Sequence, residues 1–277
     1  MPGFVKTALK FDLLTPHIAS ASMVIKDYTA ILIFEDGRIG SGTFVNTCGM
    51  DGISTAWHVG QHLLKFPEFG LCVADYPHGL WISSELVEHV IIGAVPKDSV
   101  PENGPDLSFL IIRDAGLLAK LRTEKSFYPL DSAPRPPFHP LLNPRIWGVA
   151  GSPYESLKRL QENYHGGPLT KLTNFVGTGC FPFQTIQEGD FDYLKLTMPS
   201  GEYGFPDDYD GMSGGGIWLM PMEIDPSGDP RTIGHRPPVL AGIEFSQSGW
   251  KNGERILTGH GLDSILGPLR ETLKRRP

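Results

Sequence analysis

Short apolar segments cut by glycine- and proline-rich turns recur along this chain, and that punctuation confines it to an all-β architecture. The run TAILIF (29–34) meets the turn EDGR (35–38). GSGTFVN (40–46), the turn TCGMDG (47–52) and GISTAWHV (52–59) follow. The pairs Asp36-Gly37 and Asp51-Gly52 are hairpin signals, because aspartate and glycine tolerate the positive φ of tight primed turns. Further strand-like pieces are LCVADY (71–76), ELVEHVIIGAV (85–95), DLSFLII (106–112), RIWGVAGSP (145–153), LTNFVGTGC (172–180), FDYLKLTMP (191–199) and PVLAGIEFSQ (238–247). Residues 1–22 are ambiguous; beyond them, helical composition is found at AGLLAKL (115–121) and in a last helix near 268–275, where Pro268 suits a first turn and Lys274, Arg275 and Arg276 a C-terminal end. The 33 glycines and 25 prolines show no period, which excludes a collagen-like chain.

Composition narrows the function classes. With 40% hydrophobic and 20% charged residues in 277, the chain has material for a sizeable core. A net charge of -7, without a basic stripe, argues against a nucleic-acid partner. Cys48, Cys72 and Cys180 are far apart, in no metal-ligand spacing and odd in number, so they read as free thiols of a reducing compartment. Lys6, Lys10, Asp12, Lys26 and Asp27 interrupt the N-terminal region, so no signal peptide is expected there. No apolar run reaches the roughly 18 to 20 residues of a membrane helix. The expectation is a cytoplasmic protein with no cofactor, no metal and no membrane partner.

Three segments carry chemistry. Thr55-Ala56-Trp57-His58 ends the second strand of the first hairpin. Asp106 opens a strongly apolar strand after Pro105. Ser213 lies in Gly211-Met212-Ser213-Gly214-Gly215-Gly216, a turn too glycine-rich for a helix. Amide hydrolysis needs a nucleophile, a base for its proton and a group that orients the base. A serine, a histidine titrating near neutrality and a buried carboxylate meet those needs. Glycines around the serine let the Gly211 and Ser213 amides turn into one site and stabilise an oxyanion.

These segments resemble the trypsin/chymotrypsin family of serine peptidases. TAWHV is similar to the family's TAAHC or TAAHV, PDLSFL to its DIALL, GMSGGGIW to its GDSGGP, and GIEFSQ to its GIVSWG strand, in the family's order His, Asp, Ser. The resemblance implies two packed antiparallel six-stranded β-barrels with a C-terminal helix and a cleft between the barrels. It implies His58, Asp106 and Ser213 as catalytic triad and the Gly211 and Ser213 amides as oxyanion hole. It also implies Asp207, six residues before Ser213, at the base of a pocket for lysine or arginine, with Phe245 and Ser246 lining the substrate cleft. The implied division is an extension at 1–27, a first barrel at 28–130 and a proline-rich linker at 131–144. A second barrel at 145–258 and a helix at 259–277 complete it. The partner would be a protein or peptide substrate. Met212 stands where zymogen-type members carry an aspartate that binds a freshly cut N-terminus, so that activation route is not expected. Gly216 and Trp57 also depart from the family's proline and alanine.

Each of these residues has an ordinary alternative. His58 could be a strand-end histidine satisfied by backbone, Asp106 a turn cap, and Ser213 part of a plain glycine loop. Gly211-x-Ser213-x-Gly215 also fits the nucleophile elbow of an α/β-hydrolase esterase, with Asp225 or Asp229 and His260, but GGGIWLMP is a poor helix start. His58 and His62 have the spacing of a zinc-peptidase pair but lack the glutamate base. The rival of another class is a catalytically silent protein-binding module of the same fold.

Overall fold

The computed structural model of the chain describes residues 11–72, 80–94, 104–133, 146–155, 175–179, 181, 183–199, 205–223, 234–235, 237–251 and 253–275. Most of the proline-rich linker, and the ends of the strands expected at 71–76, 85–95 and 172–180, lie outside them. The first turn forms at Asp36-Gly37 as expected, joining β1 (Thr29–Ile33) to β2 (Ile39–Thr47). The second turn is centred elsewhere. Thr47 pairs with Met50, leaving Cys48 and Gly49 as a two-residue loop with φ of 51° and 73°. That double positive φ is the primed hairpin turn, and its twist matches the flanking strands. Asp51 and Gly52 instead begin the ladder of β3 (Met50–Thr55). A side chain at Gly52 would lie 2.4 Å from the Leu110 carbonyl, so this glycine serves a close cross-strand approach.

The strand then stops earlier than the sequence suggests. His58 is not at a strand end but in the first turn of α1 (Trp57–Leu63), counting helices from the first hairpin onwards. Ala56 at the cap supplies no side-chain acceptor. The Asp106 carboxylate, just ahead of a distant strand, takes that role by accepting from the His58 amide at 2.9 Å. A tertiary contact therefore starts this helix, and Val59 and Leu63 bury its inner face.

The first antiparallel sheet continues with β4 (Glu68–Cys72), β5 (Leu80–Ser83), β6 (Val87–Gly93) and β7 (Leu107–Ile112), in the order β5-β4-β1-β2-β3-β7-β6. A short β8 (Tyr128–Pro129) pairs parallel to β2 after α2 (Ala115–Glu124). The Asp114 carboxylate caps α2 by accepting from the Leu117 amide at 2.6 Å. The second antiparallel sheet takes β9 (Ile146–Gly151), β10 (Phe175–Gly179), β11 (Phe183–Glu188), β12 (Phe191–Pro199) and β13 (Gly216–Met220). After a two-stranded ribbon of β14 (Met222–Glu223) and β15 (Gly234–His235), β16 (Val239–Gln247) and β17 (Glu254–Gly261) complete it, in the order β10-β9-β13-β16-β17-β12-β11. The chain is thus all-β with two antiparallel sheets, as expected. The described strands number eight and seven where six each were expected.

Two helical segments hold the sheets together. The expected extension contains a helix, Phe11–Tyr28, that runs directly into β1. Its Ala21 and Ile25 are buried with Phe109 of the first sheet and Trp218 and Leu240 of the second. Tyr28 stacks on Trp218 at 5.5 Å and meets Tyr128 edge-on at 5.4 Å. The C-terminal helix starts at Leu262, earlier than Pro268. It runs through a π turn over Ile265–Leu269, which absorbs Pro268, to Arg270–Lys274. Leu262, Ile265, Leu269 and Leu273 join the same core. Each fully buried Leu or Ile contributes roughly 1.5 to 3 kcal/mol, so this shared core holds the two sheets in a fixed relation. Among the described residues, no helix is long and apolar enough to cross a membrane.

Candidate active site

Where the two sheets meet, a cleft of about 570 Å³ is lined by His58, Val59, Gln61, His62, Tyr154 and Ser213, among others. His58 reaches it from α1, while Asp106 precedes β7 behind it. The Asp106 carboxylate makes two contacts with one residue. Its Oδ1 accepts from the His58 amide at 2.9 Å, and its Oδ2 lies 2.6 Å from His58 Nδ1. The carboxylate side chain is 3% exposed and the imidazole 49%, so one edge of the ring is anchored and the other faces the cleft. This arrangement places a proton on Nδ1 and leaves Nε2 free to accept one.

Ser213 lines the same cleft. Its hydroxyl donates to the Phe245 carbonyl at 3.3 Å, and no hydrogen bond joins it to His58. Gly214 explains the run of glycines beside it. Its φ is 94°, and a side chain there would come within 2.0 Å of the Ser41 carbonyl oxygen and 2.1 Å of Thr55 Oγ1. The amides around the turn divide cleanly. Met212 N–H donates to the Tyr209 carbonyl, Gly214 N–H to that of Glu244, and Gly215 N–H to that of Met212. Those of Gly211 and Ser213 donate to no group among the described residues. Met212, at the position where the resemblance implied an aspartate, is fully buried with Tyr209 and Ile217. The turn is anchored by an apolar side chain.

The remaining candidates are dispersed. Phe245 is buried and enters through its carbonyl, and Ser246 is half-buried and pairs with Thr258 of β17. Asp207 is exposed and does not line the cleft shared by His58 and Ser213. Its amide donates to Glu155 Oε2 at 2.8 Å, and its carbonyl accepts from Trp250 Nε1 at 2.9 Å. His62 is drawn to Asp36 at 2.9 Å. Among the described residues, no group of three or more His, Cys, Asp or Glu is arranged to hold a metal ion.

Two titratable groups are buried behind the site, and the sequence offered His260 only as a base for the esterase alternative and Glu244 no role. His260 of β17 is fully buried, and its Nε2 accepts from the Asp106 amide at 2.9 Å, which holds the backbone bearing the carboxylate. Burial pushes His260 down from 6.5 to about 4 against the opposing pull of the Asp106 charge. Glu244, fully buried under the serine turn, is raised well above the usual carboxylate range by burial and by the charges of Asp106 and Asp210. Unfolded His260 binds a proton below about pH 6.5, whereas the folded protein refuses it until about pH 4. The stability it contributes is therefore complete above 6.5 and lost as pH falls towards 4, by up to about 3 kcal/mol. Glu244 has the opposite slope, because its raised value favours the folded state at low pH. Urea unfolding of wild type and His260→Gln between pH 7.5 and 4.5 separates them. The glutamine variant is expected to lose less stability across that interval, and an unchanged difference would remove His260 from the acid response.

No family model matches this chain, and no curated protein matches it. Among solved structures it is similar to a thermostable serine protease, AL20, from an extremophilic microorganism, at 11% identity, with 90% of this chain and 96% of that one covered and a TM-score of 0.46.

Proposed function

We propose that the protein is a serine endopeptidase acting through Ser213, His58 and Asp106. The observation that carries this reading is the doubly held pair of His58 and Asp106 on a cleft that they share with Ser213 and two amides, of Gly211 and Ser213, whose N–H groups meet no acceptor among the described residues. The Ser213 hydroxyl turns about one side-chain bond, from the Phe245 carbonyl towards His58 Nε2; such staggered positions interconvert readily. His58 takes the proton as Ser213 Oγ attacks the peptide carbonyl. The Gly211 and Ser213 amides hold the oxyanion, and Asp106 stabilises the imidazolium. His58 returns the proton to the leaving amine, and an acyl-enzyme remains. Water, deprotonated by His58, then releases the acid and regenerates the serine. The substrate is a protein or peptide, with Phe245 and Ser246 beside its acyl portion. A preference for lysine or arginine rests on Asp207 alone, and profiling with a peptide library tests it.

A fluorophosphonate probe tests the reading directly. Wild type is expected to be labelled at Ser213, and Ser213→Ala to remain unlabelled although folded by circular dichroism. The hydrogen bond from Ser213 to Phe245 instead of His58 favours a second reading, a silent binding module. A folded wild type that resists the probe would decide for that module.

A further inference from the structure

We infer that Ser41, on β2 of the first sheet, is the positioning residue that sets the oxyanion turn of the second; this rests on the peptidase reading above. The four carbonyls from Asp210 to Ser213 all accept hydrogen bonds. That of Asp210 accepts from the Tyr154 amide at 2.5 Å, and that of Met212 from the Gly215 amide at 2.7 Å. The other two belong to Ser41. Its hydroxyl donates to the Gly211 carbonyl at 2.7 Å, and its amide donates to the Ser213 carbonyl at 3.0 Å. A peptide plane whose carbonyl is held inward sends its N–H outward, so a turn with every carbonyl held cannot flip without breaking buried bonds.

Ser41 is connected to its surroundings on every side. It is fully buried, its oxygen also accepts from the Ser152 amide at 2.9 Å, and its own carbonyl accepts from Thr55 Oγ1 at 2.7 Å. The hydroxyl thus spends its proton on Gly211 and a lone pair on the segment leading to Tyr154, whose amide holds Asp210. One side chain links both ends of the peptide pair that aims the Gly211 N–H. Met212 fills the apolar side of the same turn. The turn is therefore held by the Ser41, Tyr154 and Gly215 hydrogen bonds and by burial, with Ser41 fixing the two peptide planes next to those of the Gly211 and Ser213 amides.

The loss of one oxyanion donor costs about 10² to 10³ in turnover, and a small misplacement of a reacting group costs about 10². Ser41→Ala keeps the amide bond to Ser213 and loses the hydroxyl. Its kcat on a fluorogenic peptide, per active site titrated with fluorophosphonate, is expected to fall roughly 10- to 100-fold with KM nearly unchanged. The affinity for a peptide aldehyde, which forms a tetrahedral adduct, should fall by a similar factor. Thr29→Val removes a buried hydrogen bond of the same sheet, from the Thr29 hydroxyl to the Ile25 carbonyl, that makes no bond to the turn or to Ser41, and should keep kcat and aldehyde affinity. Equal kcat and aldehyde affinity in wild type and Ser41→Ala would overturn the role of Ser41. Equal losses in Thr29→Val would overturn it too, by making the effect one of general stability. If the alanine variant fails to fold, Ser41→Cys, with a weaker donor of similar size, takes its place: an intermediate kcat supports the assignment and a wild-type kcat overturns it. A wild type that the probe does not label would overturn the peptidase reading and not this geometry.

Discussion

His58→Ala is expected to lower peptide turnover by about 10⁶-fold and to abolish fluorophosphonate labelling of Ser213. The size follows from how little else is available to remove the serine proton. His62, the other histidine on α1, is drawn away by Asp36, and His260 is sealed beneath the site. On the proposed mechanism, what remains after the change is the contribution of the Gly211 and Ser213 amides and of substrate binding, about 10³ to 10⁴ over water in known triads. The fold should survive. The imidazole is 49% exposed, so its loss opens no sealed cavity, and the His58 amide still donates to Asp106 Oδ1. Asp106 Oδ2 loses one bond, which costs roughly 1 to 3 kcal/mol and lowers the melting temperature by no more than about 10 °C. Turnover is read on a fluorogenic peptide pool and stability by circular dichroism. A folded His58→Ala protein with near-wild-type turnover would end the triad assignment.

Asp106→Asn has the second-largest expected effect, a loss of about 10⁴ in kcat with the backbone in place. The carboxylate accepts from the His58 amide and from its ring at once. An asparagine keeps one acceptor, which the amide of α1 retains, and turns an NH₂ group towards Nδ1. The ring must then accept at Nδ1 and carry its proton on Nε2, where it can no longer receive one from Ser213. Because the backbone N–H of Asp106 still donates to His260, the start of β7 should hold its place. The loss is expected to shrink at high pH, where hydroxide substitutes for the missing base. A loss of similar size at every pH, with a lower melting temperature, would mean that Asp106 acts mainly as the cap of α1.

Much of the strand inventory was legible because alternation and turn residues act locally. β12 follows FDYLKLTMP residue for residue, and β7 follows the apolar run after Asp106. The Asp36-Gly37 turn needed only two adjacent residues. The misplaced features depend on partners remote in the chain. Cys48 occupies a positive-φ position that its type does not advertise. The helix bearing His58 starts on a carboxylate nearly fifty residues away. β17 was missed because Gly259 and Gly261 weaken any strand signal, yet the sheet needs them: a side chain at Gly259 would lie 2.7 Å from the Ile243 carbonyl. The helix before β1 was overlooked for a related reason, since its buried stripe is short and becomes meaningful only against the second sheet.

By itself, then, the sequence determined an all-β chain of antiparallel strands closed by a helix, and named a histidine, an aspartate and a serine in one order. Turn chemistry and side-chain alternation are properties of neighbouring residues, so they can be read along a line. Only the tertiary structure decided that Asp106 grips His58 twice, that His260 stands behind it, and that Ser41 holds the turn of Ser213 from the opposite sheet. Those are hydrogen bonds between buried groups remote in sequence, and their partners are chosen by packing, which leaves no periodic trace.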